Sequence, residues 1–266
     1  MPLSIKDNSA WKTVRSLYVK DGGVWKTVQV GFIKDNGAWK QFFVNLITVN
    51  VSSQNNINLR TLYINQTGEA PDSYTKAQFN INGNIGSTSS GIPSLVTDAW
   101  PAGSEVTISV TNGVYVVGAG GGGGCCSAGG TAISLGYNVT IINNGAIGGG
   151  GGSGGRVGDF RSSDGTTYYG YGGAGAGLVN GALYNAAAGT SYSFQTGGGR
   201  FPIYTASGTG GTGGSLGQAG SAGTYGQRSS FSPDRGAPPG AGGSAVAQNG
   251  YSVTWLPQGT TYGGIG

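Results

Sequence analysis

The chain has 266 residues, of which 57 are glycine and only 9% are charged, and its formal net charge is +4. Histidine is absent, which removes the commonest general base and metal ligand and every Ser-His-Asp arrangement. No apolar run is long enough to cross a membrane, and the N-terminus lacks the basic and apolar regions of a secretory signal, so we expect neither membrane insertion nor Sec-dependent secretion.

The excess positive charge lies at one end of the chain. Residues 1–45 hold six lysines and Arg15 against Asp7, Asp21 and Asp35, so that 7 − 3 = +4 and the remainder is formally neutral. A mildly basic hairpin array is more typical of a solvated or docking surface than of a nucleic-acid groove. We therefore expect no nucleic-acid partner.

Residues 1–44 contain a repeat with a period of 14: IKDNSAWKTV from Ile5, VKDGGVWKTV from Val19 and IKDNGAWKQF from Ile33. Each unit reads strand, turn, strand, with turn residues that accept positive φ. A single hairpin cannot bury a core. The zone therefore either packs on a partner, which is further copies of itself or another protein, or forms a self-contained β-meander. The aligned tryptophans are the candidate attachment residues: Trp11, Trp25 and Trp39.

Residues 45–117 are predicted to form a small β domain, a sandwich or a sheet. Four segments alternate apolar and polar residues as half-buried strands do. Turn-forming glycine, proline and asparagine separate them, and we predict no helix here. The segments are ITVNVSS at 47–53, INLRTLYINQ at 57–66, YTKAQFNINGN at 74–84 and SEVTISVTNGVYVVG at 104–118.

Residues 118–266 are a third, glycine-rich zone, since only nine of the 57 glycines precede residue 113. Such a composition suits a flexible linker, but it also suits packed left-handed polyglycine-II helices with three residues per turn. The apolar segment VTIINNGAI at 139–147 and the separation of pure glycine tracts from other residues favour the ordered alternative. The tracts span 118–124, 148–155, 170–177, 208–217 and 236–243.

The segments between these tracts concentrate arginine and aromatic residues, which binding loops favour. They span 156–169, 178–196, 200–207 and 224–235. We expect these side chains both to fill gaps in a core poor in side chains and to face outward at the loop tips. The candidate receptor-binding residues are Arg156, Phe160, Arg161, Tyr168, Tyr169, Tyr184, Tyr192, Phe194, Arg200, Phe201, Tyr204, Tyr225, Arg228, Phe231 and Arg235.

The two cysteines, Cys125 and Cys126, are adjacent. They either form a vicinal disulfide or act as two small buried hydrophobes, and we favour the buried, structural interpretation. Their spacing cannot make a thiolate zinc site, and we expect no metal and no cofactor.

Several motifs in residues 78–266 resemble the glycine-rich receptor-recognition adhesins of tailed-phage tail-fibre tips, including the T-even type. They are QFNING at 78–83 followed by IGS at 85–87, AWPAG at 99–103, NGVYVVG at 112–118, IINNGAI at 141–147, and a terminal TWL-x-x-GT-x-YG pattern within 251–263. The resemblance implies a polyglycine-II sandwich whose exposed loops bind a host outer-membrane protein or surface polysaccharide.

The expected fold is thus an all-β N-terminal part followed by a glycine-rich polyglycine-II helix sandwich, with little or no α-helix. The expected function is adhesion, by a virion protein made in the host cytoplasm. The N-terminal repeat departs from the T-even type and looks like repeats of other phage tail and fibre proteins. It leaves open whether the chain sits on a fibre, a baseplate or a nozzle, and whether it forms a homo-oligomer such as a trimer.

Two other functions compete with adhesion. A glycan depolymerase needs paired carboxylates, yet the chain holds only eight Asp and two Glu, so we predict that it is not an enzyme. A non-adhesive virion structural or decoration protein would explain the glycine tracts but not the concentrated arginine and aromatic residues.

Overall fold

The computed structural model describes residues 3–7, 9–14, 17–124, 126–156, 160–161, 167–168, 170–179, 182–196, 204–224 and 237–266. Within these ranges the chain is built mostly of β-strands, with one α-helix. No helix in the described part is long and apolar enough to cross a membrane.

The 14-residue repeats fold as three separate antiparallel hairpins, which confirms the strand-turn-strand prediction. In the second and third hairpins, Asp21 pairs with Val24 and Asp35 with Ala38, leaving two-residue turns. Both central residues of each turn have positive φ, as the turns that match strand twist require. The strands are β1 Ser4–Asp7, β2 Ala10–Thr13, β3 Leu17–Asp21, β4 Val24–Val28, β5 Val30–Asp35 and β6 Ala38–Val44.

From residue 46 the chain winds in successive turns through three sheets. The first turn contains β7 Leu46–Val51, β8 Gln54–Asn55, β9 Ile57–Asn58 and α1 Leu59–Thr67. The second contains β10 Lys76–Ile81, β11 Ile85–Gly86 and β12 Leu95–Val96. The third contains β13 Glu105–Val110, β14 Tyr115–Val117 and β15 Ile133–Ser134.

The fourth turn contains the longest glycine-rich segment, residues 149–245, between its second and third prism strands. The fourth turn begins with β16 Val139–Asn143 and β17 Ala146–Gly148, and ends with β24 Val246–Ala247. Between them lie β18 Phe160–Arg161, β19 Thr167–Tyr168, β20 Gly177–Val179, β21 Ala182–Tyr184, β22 Ser191–Thr196 and β23 Tyr204–Thr209. The final turn contains β25 Val253–Trp255 and β26 Thr260–Tyr262.

Equivalent strands of successive turns pair in parallel, so the three sheets form the sides of a prism. The sheet orders are β7-β10-β13-β16-β25, β8-β11-β14-β17-β26 and β9-β12-β15-β24. The sheets include strands on both sides of residue 118. The glycine-rich segments 118–132 and 149–245 leave the prism at the same corner, between the second and third sheets.

Aliphatic side chains stacked in register form the core of the prism. In the third sheet, Ile57, Leu95, Ile133 and Val246 occupy successive turns at one position, and each is at most 4% exposed. The other two sheets contribute similar rows. Burying each such side chain is worth about 1.5–3 kcal/mol, so these rows hold the turns in register.

The segment INLRTLYINQ, which we predicted to be a strand, is mostly helix α1, and that prediction is wrong. Asn58 caps the helix, because its side chain accepts a hydrogen bond of 3.0 Å from the Thr61 backbone N–H. Gly68 ends the helix at φ 76°, where its N–H donates to the Ile64 carbonyl. These N-cap and C-cap contacts outweigh the alternating pattern, and Tyr63 is buried against the core.

Our preference for two buried, unbridged cysteines is also wrong. Cys126 is disulfide-bonded and exposed, with φ of 61°. Cys125 lies outside the described residues.

Candidate binding surfaces

The hairpins of residues 1–44 expose large apolar side chains on an unusual scale. Trp11, Trp25 and Trp39 are 72%, 66% and 69% exposed. A two-stranded hairpin open to water on both faces is marginally stable alone, and exposed apolar patches of this kind mark interaction sites. The attachment residues predicted from the repeat therefore lie on an accessible surface. Other exposed apolar residues of this zone are Ile5, Tyr18, Val19, Val24, Phe32, Ile33 and Phe42.

The third hairpin contacts the prism. Phe43 is buried, and the ring of Phe32 packs edge-to-face on that of Tyr74 at a centroid distance of 5.4 Å. A cleft of about 480 Å³ opens beside it. The sequence does not predict this cleft, because its walls come from distant parts of the chain. Its lining residues are Leu3, Val14, Gln41, Phe42, Phe43, Val44 and Lys76.

The glycine tract 149–155 is ordered by hydrogen bonds to other segments, not within itself. Its seven successive N–H groups donate to seven different carbonyls, and every third donor points in the same direction. The 150 and 153 N–H groups reach segment 127–130, and the 151 and 154 groups reach segment 173–176. The acceptors of residues 149–155, in order, are the carbonyls of Tyr262, Gly130, Ala176, Gln218, Ser127, Gly173 and Ser221.

The carbonyls of the same tract accept hydrogen bonds from a further set of segments. Gly121 donates to the Gly151 carbonyl at 2.8 Å, and Gly214 donates to the Gly152 carbonyl at 2.8 Å. Gly240 donates to the Ser153 carbonyl, also at 2.8 Å. The tract therefore lies at the centre of a bundle of extended segments, and satisfied backbone groups offset the cost of ordering glycine.

Among the described residues, the part of the chain between the tracts contains three antiparallel hairpins. β18 pairs with β19, β20 with β21, and β22 with β23. At the base of the β22–β23 hairpin, the Gly210 N–H donates a hydrogen bond of 2.9 Å to the Thr190 carbonyl. The positions predicted to bind a receptor are thus carried on short two-stranded ribbons as well as on loops.

The structure places the fifteen candidate receptor-binding residues unequally. Tyr184 is half-buried and its hydroxyl accepts a hydrogen bond of 2.9 Å from the Gly120 N–H. This contact matches the predicted gap-filling role. Arg156 is half-buried directly after tract 148–155. Like Tyr184, six others lie in hairpin strands: Phe160, Arg161, Tyr168, Tyr192, Phe194 and Tyr204. Seven lie outside the described residues: Tyr169, Arg200, Phe201, Tyr225, Arg228, Phe231 and Arg235.

Two described groups of the prism, Tyr63 and Asp98, have shifted pKa values. Burial raises the pKa of Tyr63, whose ring packs edge-to-face on Trp100 at 5.5 Å. The Ala99 backbone N–H lowers the pKa of Asp98, and the Asn58 side chain lowers it further. Both are explained by local packing and hydrogen bonds. Among the described residues there is no group of three or more acidic or cysteine side chains that could hold a metal ion.

The fold and the two surfaces define a binding protein: a parallel β-prism with exposed tryptophan hairpins and a hydrogen-bonded glycine-rich bundle that carries ribbons. The model of the family "Phage tail fibre adhesin Gp38" matches residues 46–266. The chain therefore belongs to this family and is a tail-fibre adhesin of the phage virion. Residues 1–45, with all three hairpins, lie outside the match.

A solved structure has a similar fold. It is the crystal structure of the gp37–gp38 adhesin tip complex of the bacteriophage S16 long tail fibre. The matched chain is 23% identical, the TM-score is 0.51, and the match covers 84% of this chain and 83% of that one. At this identity the likeness concerns the fold. No curated protein sequence matches significantly.

Proposed function

We propose that this adhesin binds a host cell-surface receptor, an outer-membrane protein or a polysaccharide, through the arginine- and aromatic-rich segments between its glycine tracts. The observation that carries the proposal is the bundle of hydrogen-bonded tracts from which paired strands project. A hydrogen-bonded bundle that orders the base of a ribbon lowers the entropy cost of binding, as in preorganised recognition loops. The binding residues are the fifteen named above.

We further propose that the glycine-rich zone is a sandwich of polyglycine-II helices. Donors that point in three directions in turn, with a period of three residues, are what a helix of three residues per turn produces. The absence of hydrogen bonds within tract 149–155 supports the same geometry. Glycine suits these positions because a methyl group at Gly151 would overlap the Gly214 carbonyl oxygen.

Residues 1–44 are proposed to attach the adhesin to another tail or fibre protein, with Trp11, Trp25 and Trp39 in the contact. Their exposure supports this role. The S16 structure with a similar fold is a gp37–gp38 adhesin tip complex. In this proposal the β-prism connects the attachment zone with the receptor-recognition segments. Residues 45–117 begin its three sheets, and strands after residue 118 complete them. The protein is made in the host cytoplasm and acts by binding, without catalysis.

Cell binding by the full-length chain tests the receptor proposal. The variant with Tyr168, Tyr169, Arg200 and Phe201 all replaced by alanine should lose saturable binding of labelled protein to host cells. A Trp11→Ala, Trp25→Ala, Trp39→Ala variant is the matched control and should bind cells as the unaltered chain does. Thermal unfolding checks that both variants fold. Undiminished cell binding by the folded first variant would contradict the assignment.

A further inference from the structure

The lysines of the hairpin repeats fall into two groups on opposite hairpin faces. In one group, Lys26 and Lys40 neutralise the aspartate of their own turn, with Nζ–Oδ2 distances of 2.6 Å to Asp21 and Asp35. In the ladder, Lys26 lies opposite Val19. Because successive strand residues point to alternate faces, this first face carries charges that are balanced within each hairpin.

The second face places a lysine directly opposite each tryptophan. The Nζ of Lys20 lies 5.9 Å from the centre of the Trp25 ring, so cross-strand pairing brings the two side chains together on one face. These three lysines are exposed, and none of them forms an ion pair within the described part of the chain. We call this face of the three hairpins, taken together, the Trp face; its ladder pairs, one in each hairpin, are Lys6 with Trp11, Lys20 with Trp25, and Lys34 with Trp39.

We propose that the Trp face docks on an acidic surface of the fibre protein, whose carboxylates meet Lys6, Lys20 and Lys34 while the indoles make the apolar contact. This inference rests on the proposed attachment through residues 1–44. It specifies the chemistry of the partner.

Charge complementarity selects this partner over a second copy of the chain. Residues 1–45 carry the whole formal excess of +4, and the remaining residues sum to zero. Two Trp faces would repel each other. Residues 46–117 of a second copy sum to 2 − 4 = −2, but the carboxylates of Asp72, Asp98 and Glu105 already have partners within the chain. An acidic partner would be attracted during approach and held in register by three charge contacts.

Loading of the full-length chain onto virions that lack this adhesin tests the proposal, with the bound fraction measured across a series of NaCl concentrations. The Lys6→Gln, Lys20→Gln, Lys34→Gln variant should bind about tenfold more weakly at low salt, because each exposed ion pair contributes roughly a factor of two and the three multiply. Its binding should also depend less on salt. Lys→Arg replacements at the same three positions should retain loading.

The matched control removes charges from the opposite face. Replacing Asp21 and Asp35 by Asn together with Lys26 and Lys40 by Gln leaves the net charge unchanged, and this variant should load as the unaltered chain does. If the folded Lys→Gln variant loads with unaltered affinity and salt dependence, the acidic-partner inference is overturned and attachment through the hairpins stands. If the unaltered chain itself does not load, both fail.

A third binding experiment distinguishes the fibre protein from the cell surface as the partner of the Trp face. Vesicles containing anionic lipopolysaccharide are offered to the same variants. If the Lys→Gln variant loads normally onto virions and loses binding only to the vesicles, the Trp face serves the cell surface and the inference is overturned.

Discussion

Two adjacent glycines in tract 118–124 have opposite surroundings. A methyl group at Gly121 would overlap the Ser127 carbonyl oxygen, whereas one at Gly122 would meet no atom within 4 Å. Gly121 is buried and Gly122 is exposed. The glycine at 121 is therefore required by packing, and the one at 122 is not.

The pair gives a matched stability prediction. Gly121→Ala should lower the free energy of unfolding by about 1–3 kcal/mol, the usual cost of overpacking. Gly122→Ala should leave it unchanged or raise it by about 0.4–1 kcal/mol, because alanine restricts the unfolded chain. Urea unfolding of the two variants checks both. Equal destabilisation by the two substitutions would contradict the packed arrangement of the tracts.

Asp98 gives the protein a small acid sensitivity. Its Oδ1 accepts a hydrogen bond of 2.8 Å from the Ala99 N–H, and its Oδ2 accepts one of 3.2 Å from the Asn58 side-chain amide. These contacts lower the pKa of Asp98. A lowered folded-state pKa contributes stability that is present above the unfolded-state pKa of about 3.9 and is lost as the pH falls through the folded value.

Asp98→Asn should therefore flatten the loss of stability below about pH 4, relative to the unaltered chain. The effect is a minor part of the total, because Asp98 is only partly buried. Asparagine also tolerates the positive φ of 61° at this position. The midpoints of urea unfolding at neutral and acid pH, compared between the variant and the unaltered chain, measure this loss of stability. The same loss of stability in the variant and the unaltered chain would exclude a contribution from Asp98.

At the scale of single elements, the sequence predicts the strands and hairpins well. Alternation predicts β7, β10 and β13 because each has one face in the core. The repeat and its Gly22-Gly23 and Asn36-Gly37 turns predict the hairpins because only a few residue types accept two positive φ values in succession.

Helix α1 was missed because its apolar residues fit two periods. Leu59, Leu62 and Tyr63 match helical spacing, yet Ile57, Leu59 and Tyr63 also match alternation. Asn58 before the segment and Gly68 after it were the signals that could have identified the helix. Capping residues decide such cases when periodicity does not.

The hairpin tryptophans give a prediction about attachment. Trp11→Ala, Trp25→Ala and Trp39→Ala together should abolish loading of the adhesin onto adhesin-free virions, because these side chains supply the largest exposed apolar area of the zone. Thermal stability should change little, since all three are more than 60% exposed. Normal loading by the folded triple variant would show that residues 1–44 attach through other groups.

At the scale of the whole molecule, the parallel prism could not be predicted from alternation. Its register pairs Leu46 with Lys76 and Lys76 with Glu105, steps of 30 and 29 residues, whereas Thr140 pairs with Thr254 after 114 residues. Without a constant period, no internal repeat marks the successive turns. The alternating pattern is the same for a sandwich, a sheet and a prism.

The sequence predicts which residue types could bind a receptor, but it does not predict which neighbours their side chains contact in the fold. Arginine and aromatic residues stand out between the tracts in the sequence, but the hydrogen bond from Gly120 to Tyr184 joins positions 64 residues apart. That contact depends on how the tracts pack. The composition of a segment indicates that it could bind a partner. The fold determines which of its side chains contact other segments and which remain available to a receptor.

Competition for adsorption tests the central claim, that this adhesin brings the phage to its host by binding a cell-surface receptor. Host cells are incubated with an excess of the purified, folded full-length chain before phage is added, and the rate of phage adsorption is measured. The account predicts that the unaltered chain slows adsorption in a saturable way and that the Tyr168, Tyr169, Arg200 and Phe201 alanine variant does not. Adsorption at the normal rate in the presence of saturating folded chain would contradict it.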